Sequence, residues 1–292
     1  MVSKLKISIH HLLSLILIFA LLSPASCVRT RGISTPVNDD PLSSSPTRTS
    51  ISLSPRPSVS LDLVLITPPR PLVALLLMPG GPGLAGISGI NISNRRDFVT
   101  ITAEQFVAQG IAVAVIDAAS DQPNGLTPDY RQTAAHLAEL NIVITRIKQN
   151  TGLPVWVLGI SRSTLSAMHA GINTEVSVNG LVLLSSITNI PVETGVTNLT
   201  DVGLDKVRVP ALIIAHEKDS CQGTPPSGAQ QIVNRLKNSP NAVVKLFRGG
   251  FTEAKNPCLP ASHHTFNGIQ DQVAAFIIEF IKTNAELDNH DN

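Results

Sequence analysis

The chain has 292 residues and a formal charge of +1, from 22 Lys and Arg against 21 Asp and Glu, so its charge gives no case for a nucleic-acid partner. Hydrophobic residues make up 43% and charged residues 15%, against ~25% charged in ordinary soluble domains, which excludes a chain disordered throughout. Three cysteines are too few for a disulfide scaffold and lack zinc-site spacing, and 3% aromatic residues speak against an aromatic-lined carbohydrate surface.

Residues 1–27 read as a secretory signal peptide. Lys4 and Lys6 open it, Leu12 to Leu22 is apolar except for Ser14, and Ser23, Pro24, Ala25 and Ser26 form a small-residue exit. The apolar run falls short of the about 20 residues of a membrane span, so no stable span is expected. Cleavage is placed after Ala25 or Cys27. The run Pro24-Ala25-Ser26-Cys27 also has a faint likeness to a lipoprotein box, whose lipid would sit on Cys27. Export to the periplasm or the medium is the leading expectation, and a membrane-anchored lipoprotein is the alternative. Residues 28–57 are rich in Ser, Pro, Thr and Arg and are read as a disordered linker. The compact domain is expected over 58–285, with a polar frayed tail at 286–292.

Within the domain, apolar runs of strand length alternate with segments of helical period. Val59–Thr67 alternates as an outer strand does. Leu72–Met78, Ile111–Ile116, Val155–Leu158, Gly180–Leu184, Ala211–Ala215 and Val243–Phe247 are more continuous, as in strands covered on both faces. Ala134, Leu137, Leu140, Ile144 and Ile147 form one helical stripe, stopped by Gly152 and Pro154, and Ile269, Val273, Phe276, Ile277 and Phe280 form another. The pattern predicts an α/β fold: a doubly wound, mainly parallel sheet with helices on both faces. In such sheets ligands bind at the carboxyl ends of the strands.

Four of those ends carry chemistry. After Leu72–Met78 comes Pro79-Gly80-Gly81-Pro82-Gly83, whose glycines bare backbone N–H groups to a substrate. After Val155–Leu158 comes Gly159-Ile160-Ser161-Arg162-Ser163, a strand, sharp turn and helix that lift Ser161 out of the sheet. Ser163 stands where Gly is usual in the Gly-X-Ser-X-Gly pattern. After Ala211–Ala215 comes Asp219, an acid able to orient a histidine, with Glu217 and the more distant Glu193 as rivals. Before the last helix come His263 and His264, either of which can serve as a general base. His136, His169 and His216 read as packing, surface or supporting residues.

With these four features in order, residues 58–285 resemble an α/β-hydrolase. The segment His264-Thr265-Phe266-Asn267-Gly268-Ile269 is similar to a His-Gly-Phe-X-Gly-Ile/Val run of some members and favours His264 over His263. The resemblance implies Ser161 as nucleophile, His264 as base and Asp219 as orienting acid. It also implies an oxyanion hole from the N–H groups of Arg162 and of Gly81 or a neighbour. Pro79 replaces a histidine that many members carry before the glycines. The short stretch between Gly180–Leu184 and Ala211–Ala215 implies a small or absent cap. Because the acid and base loops meet in such a triad, Cys221 and Cys258 are expected to form a disulfide, which an exported chain permits.

The functional expectation is an exported serine hydrolase, esterase-like, that cleaves a small ester or related acyl bond through an acyl-enzyme. It needs no cofactor or metal, and its partner is a small acyl substrate. The alternatives are a non-catalytic binding protein and a serine peptidase of the same fold.

Overall fold

The computed structural model describes residues 45–290, apart from 174, 176, 192 and 193, with the backbone alone over 286–290. The expected leader, Cys27 and the rival acid Glu193 lie outside the described residues.

An eight-stranded sheet forms the centre. Its strands are β1 (Thr47–Arg56), β2 (Val59–Thr67), β3 (Val73–Met78), β6 (Ile111–Ile116), β7 (Val155–Ile160), β8 (Gly180–Leu184), β9 (Ala211–His216) and β10 (Ala242–Phe247). The short β4 (Ile87–Ser88) and β5 (Asn91–Ile92) make a separate hairpin. The spatial order is β1-β2-β6-β3-β7-β8-β9-β10. From β6 to β10 every pairing is parallel, whereas β2 runs antiparallel to both β1 and β6. All residues of β3, β6, β7, β8 and β9 are buried, which explains their unbroken apolar sequences.

Helices cover both faces. On one side α2 (Ala134–Thr151), α3 (Ser163–Ile172) and α4 (Ser227–Arg235) close a core with Leu61, Leu76, Val157, Leu183 and Ile213. On the other, α1 (Phe98–Ala108) and α5 (Gln270–His290) close a second core with Leu75, Val113, Trp156, Leu184 and Ile214. Thr133 caps α2 by accepting from the His136 N–H, and Gly152 ends it in the left-handed conformation. The doubly wound arrangement read from the sequence is the one observed.

Two boundaries are corrected. Residues 47–56, assigned to the linker, form β1, paired along its length with β2. As an edge strand it buries only one face, so Ile51 and Leu53 suffice, and Thr, Ser and Arg48 occupy the exposed positions between and before them. Pro55 falls where the register slips between Leu53 and Arg56, at an edge that tolerates a missing donor. At the other end, α5 stays helical through 286–290, where Glu286, Leu287 and their neighbours prolong a helix in place of the expected fray.

Candidate active site

The sheet brings the ends of β3, β7, β9 and the loop before α5 to one edge. Ser161 follows β7 directly and holds φ at +56°, a conformation rare for a residue with a side chain. Its N–H donates to the Leu184 carbonyl at 2.9 Å, which fixes the turn against β8. The crowding falls on Gly159: a Cβ there would lie 2.4 Å from the Ser163 carbonyl oxygen. Position 163 has room. Its buried hydroxyl accepts the Ile160 N–H at 2.7 Å and lies 2.8 Å from the carbonyls of Met78 and Ile160. The departure from Gly thus ties the end of β7 to the end of β3.

His264 is buried, with Nδ1 2.9 Å from Asp219 Oδ2. Asp219 receives further donors: the Cys221 N–H at 2.9 Å on Oδ1 and the Thr224 hydroxyl at 3.0 Å on Oδ2. Thr224 Oγ1 is also 3.0 Å from His264 Nδ1, so it bridges acid and base. Ser185, at φ +45°, donates its hydroxyl to the His264 carbonyl at 2.7 Å and holds the base loop over β8. With Nδ1–H directed at the carboxylate, Nε2 keeps its lone pair, and it is buried without a hydrogen-bond partner. Ser161 and His264 line the same pocket, a cavity of about 140 Å³ whose walls include Gly81, Asp97, Leu259 and Pro260.

The other candidates sit elsewhere. His263 stacks on His216 with ring centroids 4.4 Å apart, and its Nδ1 is 3.0 Å from the Thr252 hydroxyl. His216 accepts the Lys218 N–H on Nδ1 and donates Nε2–H to the Gly249 carbonyl at 2.8 Å, and burial lowers its pKa. Glu217 pairs with Arg248 at 2.6 Å on the surface. His169 contacts the Arg131 carbonyl behind α3, and His136 lies in a buried network with Glu139. A larger hollow of about 250 Å³ also lies behind α3, between Leu165, Met168 and Leu199, and neither Ser161 nor His264 lines it.

In the glycine loop, Gly81 holds φ at +53° inside a turn closed by the Gly83 N–H on the Gly80 carbonyl at 2.9 Å. The N–H groups of Gly81 and Arg162 donate to no acceptor among the described residues. Asp97, the cap of α1, accepts the Val99 N–H at 3.0 Å on one oxygen and the Gly80 N–H at 2.7 Å on the other. Burial raises its pKa, against the pull of those two N–H groups.

Cys221 and Cys258 are joined, 37 residues apart, as expected from the triad arrangement. The bond ties the acid loop to the pocket wall, since Cys258 lines the same cavity as Ser161. The connection from β8 to β9 carries two short 3-10 turns, Leu199–Asp201 and Leu204–Lys206, and no helix of a cap among the described residues. Sequence reading did not single out Thr224, Ser185, Asp97 or Arg131. A hydroxyl or charge in the middle of a loop has no periodicity to mark it, although Asp97 stands as a cap residue before Phe98.

Scans against models of known protein families and against curated protein sequences give no match. Solved structures do match. The chain is similar to proline iminopeptidase of Mycobacterium smegmatis, with a TM-score of 0.60, 15% identity, and 82% of this chain and 100% of that one covered. It is similar to a dienelactone hydrolase from Anabaena variabilis, at 0.59 and 15%, covering 82% and 98%. It is also similar to a highly thermostable carboxyl esterase from Bacillus coagulans, at 0.58 and 15%, covering 82% and 99%. Taken with the sheet order and the parallel run from β6 to β10, these likenesses show that the chain has the α/β-hydrolase fold.

Proposed function

We propose that the protein is an exported serine hydrolase that cleaves a small ester or a related acyl bond. The observation that carries the reading is His264: Nδ1 is held by Asp219, and Nε2 is buried and unpartnered in the pocket that Ser161 lines. Nε2 takes the Ser161 proton as the hydroxyl oxygen attacks the acyl carbon. Asp219 steadies the imidazolium that forms. The carbonyl oxygen, now negative, takes hydrogen bonds from the free N–H groups of Gly81 and Arg162, a contribution of about 3–4 kcal/mol per donor in comparable sites. His264 then returns the proton to the leaving oxygen, and a water repeats the sequence to release the acid. A cavity of about 140 Å³ suits a short acyl group.

Export is supported by the sequence pattern of residues 1–27 and by a disulfide at the site, which an oxidising compartment preserves. The Mycobacterium neighbour is a proline iminopeptidase by its name, and a peptidase activity of that kind is the competing reading for this chain. Against it stands the short β8–β9 connection, which carries no helix of a cap among the described residues.

Hydrolysis of p-nitrophenyl esters of rising acyl length, beside proline p-nitroanilide, tests the reading. Turnover of acetate or butyrate esters that disappears in Ser161→Ala supports it. Turnover of the anilide with no ester activity would replace it with the peptidase reading.

A further inference from the structure

Arg131 is almost wholly buried, yet no carboxylate among the described residues forms an ion pair with it, and Asp97 acts on it only through space. A buried cation without a counterion is costly, and its place needs an explanation. Its guanidinium lies under the glycine loop. Nη2 donates to the Gly81 carbonyl at 3.2 Å, Nη1 donates to the Ser166 hydroxyl at 3.0 Å, and Nε is buried and unpartnered. A Cβ at position 83 would come within 2.7 Å of Nη2, so Gly83 makes room for it.

Behind Arg131 runs a chain of hydrogen bonds whose directions agree. Ser166 Oγ accepts from Arg131 and is 2.8 Å from His136 Nε2. His136 Nδ1 is 2.9 Å from Glu139 Oε2, and Glu139 Oε1 takes the Tyr130 hydroxyl at 2.8 Å and Arg56 at 2.6 Å. Arg56 comes from β1. With His136 neutral, the directions behind Arg131 are consistent: Ser166 gives its proton to Nε2, and Nδ1–H points to the carboxylate. These three side chains have the hydrogen bonds of a Ser–His–Glu triad, but Ser166 and His136 are buried and no substrate reaches them. They act on the loop instead.

Each neighbour of the Gly80–Gly81 peptide is held. Asp97 takes the N–H of Gly80 on one side, and Arg131 binds the carbonyl of Gly81 on the other. The carbonyl of the peptide itself takes the Gly83 N–H, and the Pro82 carbonyl takes the Leu126 N–H at 2.7 Å. Only the Gly81 N–H is left over. We propose that Arg131, steadied by Ser166, His136 and Glu139, is a positioning residue that fixes the Gly81 N–H for the oxyanion. The inference rests on the hydrolase reading above.

The test compares Arg131→Met, Arg131→Lys and Ser166→Ala with wild type on p-nitrophenyl acetate, and measures inhibition by phenylboronic acid, whose tetrahedral serine adduct places an oxygen in the same hole. Arg131→Met is expected to lower kcat by ~10–100-fold, short of or equal to the loss of a whole donor, with KM changed by less than ~3-fold. Boronate affinity falls by a matching factor, and Arg131→Lys recovers part of both. Should Arg131→Met not fold, Ser166→Ala carries the test, with a ~3–10-fold loss in kcat and in boronate affinity and an unchanged KM. A folded Arg131→Met, or failing that Ser166→Ala, that keeps wild-type kcat and boronate affinity overturns the inference, as does a loss confined to KM. A wild type that takes neither substrate nor boronate overturns the hydrolase reading, and this inference falls with it.

Discussion

His264 donates Nδ1–H to Asp219 at 2.9 Å and keeps a buried, unpartnered Nε2. One nitrogen is fixed by a carboxylate that itself holds the Cys221 N–H and the Thr224 hydroxyl, and the other has no partner among the described residues. Asp219→Asn reverses this by offering an amide donor to Nδ1, which favours the tautomer with the proton on Nε2. The expected loss is about 10³–10⁴ in kcat with a folded protein, read from steady-state kinetics beside a thermal melt. A loss under ten-fold would show that another acid orients the base.

Thr224 bridges the same pair at 3.0 Å to each. Thr224→Val keeps the shape and removes the hydroxyl. Asp219 and Nδ1 remain in contact, so a modest loss of about 5–20-fold in kcat is expected, with KM unchanged.

Ser163 explains how the turn departs from the common Gly pattern. Ser163→Ala leaves the Ile160 N–H buried and unpaired and should destabilise the fold by about 1–3 kcal/mol in urea titration. An unchanged midpoint would mean that the hydroxyl contributes nothing to the turn.

The bond between Cys221 and Cys258 closes a loop 37 residues apart in sequence. Replacing both with Ser should cost about 4 kcal/mol by the chain-entropy relation. That corresponds to a fall of roughly 10 °C in Tm for a domain of this size. Activity should fall as well, since Cys221 supplies an N–H to Asp219 and Cys258 walls the pocket.

Stability should also depend on pH through His136 and Glu139. Burial lowers the His136 pKa below its ordinary 6.5, and Arg131 adds to this while Glu139 opposes it. Burial acts to raise the Glu139 pKa, but hydrogen bonds from His136, Arg56 and Tyr130 outweigh it and hold the pKa down. For both groups the unfolded chain binds protons first. Their stabilisation is therefore complete above pH 6.5 and is lost as pH falls, first through His136 and then through Glu139. Tm should drop between pH 7 and 5, and His136→Gln should flatten that drop.

What could be read beforehand follows from periodicity and position. Continuous apolar runs marked β3, β6, β7, β8 and β9 because these strands are covered twice. Ser161, Asp219 and His264 could be singled out as candidates because each follows a strand or precedes the last helix, at the edge where such sheets hold ligands, and the structure brings Asp219 to His264 and sets His264 and Ser161 around one pocket. β1 was not, since Ser and Thr outnumber its two buried apolar residues. Nor was α1, whose run Val99-Thr100-Ile101-Thr102 is β-branched and takes helical form through the Asp97 cap and burial of Phe98 and Phe106. Arg131 was hidden for a different reason: a lone arginine before a helix looks like a surface charge, and only the folded chain puts it under Gly81.

The most direct test of the central claim is to treat the protein with a fluorophosphonate and locate the adduct by peptide mass mapping. One adduct is expected, on Ser161, absent from Ser161→Ala and strongly slowed in His264→Ala. No adduct on the wild type, or an adduct on another residue that persists in Ser161→Ala, would contradict it.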